Sequence, residues 1–110
     1  MSTVTTHVLD TALGRPARGV PVRLELLADP AEVLASAVTD ADGRVADLGP
    51  DRLAAGAYRL VFDTAAYFEA SGQDGFFPEV SVVFTVAAPD EHHHVPLLLS
   101  PFAYSTYRGS

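Results

Sequence analysis

Histidine offers this chain its most versatile chemistry, and three of its four histidines are consecutive: His92, His93 and His94. In an extended segment side chains alternate, so His92 and His94 would share one face and His93 would point away. Two imidazoles about 7 Å apart along a strand can act as a general base and its partner. Together with His7 they can also form a zinc site, although the sequence supplies no further obvious ligand. The alternative to both kinds of site is that residues 92–94 are only a solvated polar segment at the start of a strand.

Arg44 is the second candidate, because its guanidinium offers a planar fork suited to a carboxylate or a flat heterocyclic anion. It follows Asp40, Asp42 and Gly43, which look like the opening of a calcium loop. A helix-flanked calcium loop needs a glutamate six residues after the glycine, and that position is Gly49. We therefore interpret residues 40–43 as a turn in which aspartates cap backbone amides and the glycine takes a positive φ.

The elements that must position these residues are short segments of alternating apolar and polar residues, separated about every ten residues by Gly, Pro or Asp. This pattern predicts an all-β sandwich. Strands are predicted at residues 5–9, 20–27, 33–39, 56–63, 79–87, 92–99 and 103–107. Segment 79–87 is rich in β-branched and aromatic residues, which favours a central strand.

Two local features complete the predicted elements. Residues 64–71 predict one short helix, with Thr64 as its N-cap and Gly72 at its end. Pro96 interrupts a segment that otherwise reads as strand. Because proline cannot donate a ladder hydrogen bond, it belongs on an edge strand or at a bulge.

Length and composition limit the classes of function. The 110 residues predict a single domain, residues 1–110, and 48% hydrophobic with 19% charged residues is typical of a globular protein. The net charge of −7 argues against nucleic acid or an anionic lipid surface as a partner. The absence of cysteine excludes thiol catalysis, disulfides and cysteine-ligated metals. We expect a cytoplasmic protein, because the N-terminus lacks a signal-like pattern and no segment reaches the ~20 apolar residues of a membrane span.

The chain ends directly after the last predicted strand with Tyr107, Arg108, Gly109 and Ser110. This position brings a phenol, a hydroxyl and the terminal carboxylate close to structured parts of the fold. Ser110 is disfavoured as a hydrolytic nucleophile, because no strand–turn–helix elbow or glycine-flanked serine motif surrounds it.

Both ends of the chain resemble the transthyretin family. The segments HVLDTALGRPA at residues 7–17 and HVPLLLSPFAYS at 94–105 resemble its two signatures, and the final YRGS resembles its enzyme branch, the 5-hydroxyisourate hydrolases. The resemblance spans the whole chain. It implies a prealbumin-like two-sheet sandwich with one short helix, assembled as a homotetramer with active sites at the dimer–dimer interface.

The resemblance also implies an activity and a site. The activity is hydrolysis of 5-hydroxyisourate in urate catabolism, without a cofactor or metal. The catalytic residues would be His7, Arg44 and His94, and the substrate would bind to His7, Arg44, Tyr107 and Ser110. Family members commonly have tyrosine in place of His93, so we expect altered packing there with the chemistry intact.

Two alternatives from other functional classes remain. A carrier would hold a small aromatic ligand in an apolar channel between subunits. A structural sandwich module would be a monomer that is indifferent to loss of residues 107–110.

Overall fold

The computed structural model describes residues 3–110 and contains two β-sheets and one helix. The strands and the helix, in chain order, are β1 (Val4–Asp10), β2 (Arg15–Pro16), β3 (Pro21–Leu26), β4 (Glu32–Val38), β5 (Arg44–Val45), β6 (Gly56–Phe62), α1 (Thr64–Ser71), β7 (Val80–Val86), β8 (His93–Ser100) and β9 (Ala103–Thr106). The predicted all-β class with one short helix is confirmed. Within the described residues no helix is long and apolar enough to cross a membrane.

Each sheet has a simple order. The first is β2-β1-β8-β9, and β5 pairs with β1 as well; β1 and β8 are parallel, whereas the other pairs are antiparallel. The second is β4-β3-β6-β7, antiparallel throughout. Strand β7 therefore lies at an edge, and the prediction of a central strand at 79–87 is wrong. β-Branched composition indicates a pleated, half-buried strand, and it does not indicate the place of that strand in the sheet.

The core contains the inward-facing side chains of the strands together with apolar residues of the connecting loops. Its largest fully buried apolar side chains are Phe62, Leu24, Leu48, Leu60, Leu97, Leu99, Val4, Val8, Val20, Val80 and Val86. Burying one such side chain stabilises the fold by about 1.5–3 kcal/mol. Strand β1 follows strict alternation, with even-numbered residues buried and odd-numbered residues partly exposed. This alternation directs its odd-numbered residues to the outer face of the first sheet.

Helix α1 ends at Gly72 as predicted, with a φ of 71°. Its N-cap is Asp63, which accepts a hydrogen bond from the Ala66 N–H, so the prediction of Thr64 as N-cap is wrong. The Thr64 hydroxyl is buried and donates instead to the Phe77 carbonyl.

Buried Asp10, the last residue of β1, forms hydrogen bonds that hold α1 against this strand. Its carboxylate accepts hydrogen bonds from the Tyr67 hydroxyl, the Gln73 amide and the backbone of the following turn. Burial raises the pKa of this carboxyl, but those hydrogen bonds, the one from Tyr67 first, bring it below its usual value. Burial and the bond to Asp10 raise the pKa of Tyr67 to about 12. This contact holds the helix against the sheet that carries the candidate site.

Pro96 lies in β8, between β1 and β9, and not on an edge strand. Its carbonyl accepts a hydrogen bond from the Thr106 hydroxyl, so its backbone faces the β9 side. Pairing of β8 with the last strand ends at Leu97 and resumes at His94, which forms an isolated bridge to Gly109. The missing N–H of Pro96 thus falls where the tail leaves the ladder, so this interior strand tolerates the proline. The prediction of an edge strand is wrong, and the β1–β8 register continues through Pro96 without a shift.

Candidate active site

Parallel pairing of β1 with β8 brings the segment that contains His7 beside the segment that contains His94. Thr5 pairs with His94, and His7 pairs with Pro96, so these side chains share the outer face of the sheet. Alternation sends Thr6 and Val95 to the opposite, buried face. Residues almost ninety positions apart in the chain therefore become neighbours.

The turn at residues 40–43 positions Arg44. The Asp40 carboxylate accepts hydrogen bonds from the backbone N–H groups of Asp42 and Arg44, at 2.9 and 3.0 Å. The bond from the Arg44 backbone is the largest cause that lowers the pKa of Asp40. Gly43 has a φ of 75°, and a Cβ there would lie 2.3 Å from the Val8 carbonyl oxygen, so only glycine fits this contact with β1. The predicted turn is confirmed.

The contact between Gly43 and β1 places Arg44 next to the first histidine. Arg44 and His7 are paired residues of β5 and β1, and paired residues have side chains on the same face of a sheet. The Arg44 side chain is exposed, and its backbone is held by Asp40 and by β1. The guanidinium therefore lies at the surface of the site, where a ligand can reach it.

The carboxyl-terminal residues 108–110 lie next to His94. The N–H of Gly109 donates to the His94 carbonyl at 2.8 Å, and a Cβ on Gly109 would lie 2.5 Å from Cδ2 of the imidazole. Arg108 adds an exposed ion pair with Glu91, at 3.1 Å. The glycine thus lets the backbone of the tail lie against the imidazole, and Ser110 follows directly.

These elements enclose an open cleft of about 230 Å³. Its walls are formed by Thr5, Thr6, Arg44, Val45, Ala46, His92, His94 and Ser110. Two imidazoles, a guanidinium and the terminal residue of the chain therefore converge on one small cleft.

Within the cleft a single hydroxyl contacts two imidazoles. The Thr5 Oγ1 lies 2.9 Å from His92 Nε2 and 2.8 Å from His94 Nδ1. His93 points to the other face and is 3% exposed, and its ring lies 6.3 Å from that of Phe84. The predicted separation of His93 from its two neighbours is confirmed.

The cleft favours the neutral form of His94. Burial lowers the pKa of this imidazole, and the positive charge of Arg44 lowers it further. The neighbouring His92 and His7 act in the same direction, while a hydrogen bond to the Thr5 backbone opposes them. A neutral imidazole at neutral pH can accept a proton from water.

The zinc alternative finds no support in this geometry. In the part of the chain that the structure describes, no group of three histidine or carboxylate side chains is placed to hold a metal ion. His92 and His94 both direct a ring nitrogen to the Thr5 hydroxyl instead.

The sequence-based set of site residues is only partly brought together. Arg44, His94 and Ser110 meet in the cleft, and His7 lies beside Arg44 on the same face without lining it. Tyr107 lies elsewhere: it borders a second cavity of about 300 Å³ between the two sheets, next to His93. The carboxyl-terminal tail thus divides its side chains between two cavities.

Sequence reasoning missed two residues of the site. Strand alternation in the sequence places Thr5 on the same face as His7, so its position on that face could have been predicted. The pairing of β1 with β8, which brings Thr5 to His94, cannot be predicted from the neighbouring residues. Gly109 was noticed only as part of a terminal motif, and its contact with the imidazole depends on the same pairing.

The chain resembles known proteins over almost its whole length. The model of the HIUase/Transthyretin family matches residues 4–109. The chain is 48% identical to the 5-hydroxyisourate hydrolase of Mus musculus over 113 residues, which is 99% of this chain and 96% of the mouse protein.

Two solved structures have the same fold. That of Klebsiella pneumoniae 5-hydroxyisourate hydrolase has a TM-score of 0.89 and 41% identity, and the match covers all of both chains. That of transthyretin from Sparus aurata has a TM-score of 0.90 and 32% identity, covering 99% of this chain and 97% of the other.

Proposed function

This chain belongs to the HIUase/transthyretin family, and on that premise we propose that it hydrolyses 5-hydroxyisourate, the product of urate oxidation in purine catabolism. The reaction opens the six-membered ring and gives 2-oxo-4-hydroxy-4-carboxy-5-ureidoimidazoline. One water is consumed: its oxygen bonds to a ring carbonyl carbon, the bond from that carbon to nitrogen breaks, and the nitrogen receives a proton.

The polarity of the cleft is the observation that supports a hydrolase over a carrier of a small aromatic ligand. A carrier of an aromatic ligand would gain from an apolar channel, because burial of apolar surface drives such binding. Here His94, Arg44 and Ser110 converge on about 230 Å³. These groups match a reaction in which a proton moves and negative charge develops on an oxygen.

Each group has a role that follows from its chemistry. His94, kept neutral, accepts a proton from the attacking water. Arg44 binds the anionic oxygens of the substrate and stabilises the charge that develops at the attacked carbonyl. His7 lies outside the lining of the cleft but beside Arg44 and near enough for its charge to act on His94, so at the edge of the cleft it orients the water or protonates the departing nitrogen. Ser110 closes the cleft and donates hydrogen bonds to the substrate.

We also propose that the active protein is a homotetramer. In the described residues, β7 and β9 each have one edge without a partner strand. Large apolar side chains are exposed near these edges, among them Phe76, Val83, Phe102 and Tyr104. Unpaired edges with apolar surface are typical of strands that pair with another chain.

The test of the function is the decay of freshly generated 5-hydroxyisourate, followed by ultraviolet absorbance with catalytic amounts of protein. The full chain is expected to accelerate this decay. A variant truncated before Tyr107 is expected to lose the acceleration, because the tail that packs on His94 and closes the cleft is absent.

The mass of both proteins, measured by light scattering, makes the outcome decisive. A folded tetramer without acceleration would overturn the hydrolase proposal in favour of a carrier. A folded monomer without acceleration would leave only a structural module. A truncated variant with the full rate would remove the tail from the mechanism.

Gly109→Ala tests the contact between the tail and the imidazole. The added Cβ would lie 2.5 Å from His94 Cδ2, so either the ring or the tail must move. Because a displacement of a catalytic group by about 1 Å can cost about 100-fold, we expect kcat to fall by one to two orders of magnitude. The melting temperature should change little, since Gly109 lies at the chain end. An unchanged kcat would show that the placement of the ring does not depend on the tail.

A further inference from the structure

The Thr5 hydroxyl has an unusual position between two titratable rings. It lies 2.9 Å from His92 Nε2 and 2.8 Å from His94 Nδ1, both within hydrogen-bond distance. Thr5 is fixed by its place in β1, where it pairs with His94 across the parallel ladder. The contact is therefore held by the sheet and does not depend on a mobile loop.

A count of hydrogens limits what this contact can be. A hydroxyl has one hydrogen, whereas each neutral imidazole has one N–H and one bare nitrogen. If the Thr5 hydroxyl donates to His92 Nε2, it must accept from His94 Nδ1. If it donates to His94 Nδ1, it must accept from His92 Nε2. The two arrangements give His94 opposite tautomers.

The proposed function selects between these arrangements. Nδ1 is the ring nitrogen bonded to the Thr5 hydroxyl, and within residues 3–110 no hydrogen bond reaches Nε2 of His94. A base that takes a proton from water must present a bare nitrogen to the cleft. The hydrogen of the neutral ring therefore lies on Nδ1, and the Thr5 hydroxyl accepts it and donates its own hydrogen to His92 Nε2.

We propose that Thr5 is a positioning residue of the hydrolase: its hydroxyl, held between His92 and His94, fixes His94 in the Nδ1–H tautomer with a bare Nε2 that accepts the proton of water. This inference rests on the proposed function and deepens it, because it assigns the general base and the atom that acts. His92 takes part through Thr5, as the acceptor that fixes the direction of the hydroxyl.

The experiment compares Thr5→Val, which keeps the β-branched shape and removes the hydroxyl, with Thr5→Ser, which keeps the hydroxyl. The matched control is Thr11→Val, which removes an exposed hydroxyl bonded to the Leu99 carbonyl at the other end of the β1–β8 pair. Nitrogen-15 chemical shifts of the imidazole report the tautomer of His94 in each protein. Steady-state assays with 5-hydroxyisourate give kcat and KM.

In the wild type and in Thr11→Val we expect the Nδ1–H tautomer. Thr5→Val should show a mixture of tautomers and a kcat about tenfold lower, the usual effect of one lost hydrogen bond, with KM almost unchanged. Thr5→Ser should restore both values. A Thr5→Val protein with the wild-type tautomer, or with an unchanged kcat, would overturn the proposal. If the wild type does not hydrolyse the substrate, the proposed function fails, while the nitrogen-15 shifts still decide the role of Thr5 on the His94 tautomer.

Discussion

His94→Ala is expected to lower kcat for 5-hydroxyisourate hydrolysis by about 10²- to 10⁴-fold, the range that a positioned general base contributes. His94 lines the cleft with a ring held neutral by burial and by the charge of Arg44. Removal of the imidazole leaves water as the only acceptor for the proton. The rate of absorbance decay, corrected for the spontaneous reaction, measures the effect.

His94→Asn separates the loss of a base from the loss of packing. Asparagine keeps a side chain against the tail but cannot accept the proton, so it should be as inactive as alanine. Melting temperature and tetramer mass should stay close to those of the wild type. If His94→Asn turns over at the wild-type rate, His94 is not the base.

The pH profile gives a second measurement of the same group. The pKa of His94 lies below its ordinary value of 6.5, so the neutral base persists as pH falls through 6.5. Activity should therefore decline only below this pH. Both His94 variants should lack this acid limb.

The sequence predicted the strands well because the burial pattern was local. Alternation in residues 5–9 reports which side chains face the core, and both this segment and 56–63 are strands in the structure, although Val61, on the outward side of the second alternation, is buried. The two-residue strands β2 and β5 were missed, because two residues carry no period. The same limit hid the pairing of Arg44 with His7.

The site was less predictable than the fold, because it depends on contacts between distant segments. The types of His7, Arg44 and His94 indicated the chemistry, and the family resemblance grouped them. Nothing local to Thr5 or Gly109 indicates that each lies against His94, since both contacts arise from strand pairing. Tyr107 shows the converse: the family resemblance implied that it binds the substrate together with Ser110, but the two residues border different cavities.

Arg44→Ala is expected to lower kcat/KM by about 10²- to 10³-fold, the cost of removing a group that stabilises a developing oxyanion. The fold should survive, because Arg44 is held through its backbone, by Asp40 and by pairing with His7. Arg44→Lys keeps the charge but not the planar fork, so an intermediate rate is expected. Arg18→Ala removes an exposed arginine outside the cleft and is the matched control, with a rate equal to that of the wild type.

The pH profile of these variants distinguishes substrate binding from a merely structural effect. The positive charge of Arg44 lowers the pKa of His94, so its removal should raise that pKa and move the acid limb of activity to higher pH. Arg44→Lys should leave the limb close to its wild-type position, because a positive charge remains. A loss of activity in Arg44→Ala without this shift would mean that the guanidinium does not face His94 in the working enzyme. A wild-type kcat/KM in Arg44→Ala would remove Arg44 from the mechanism.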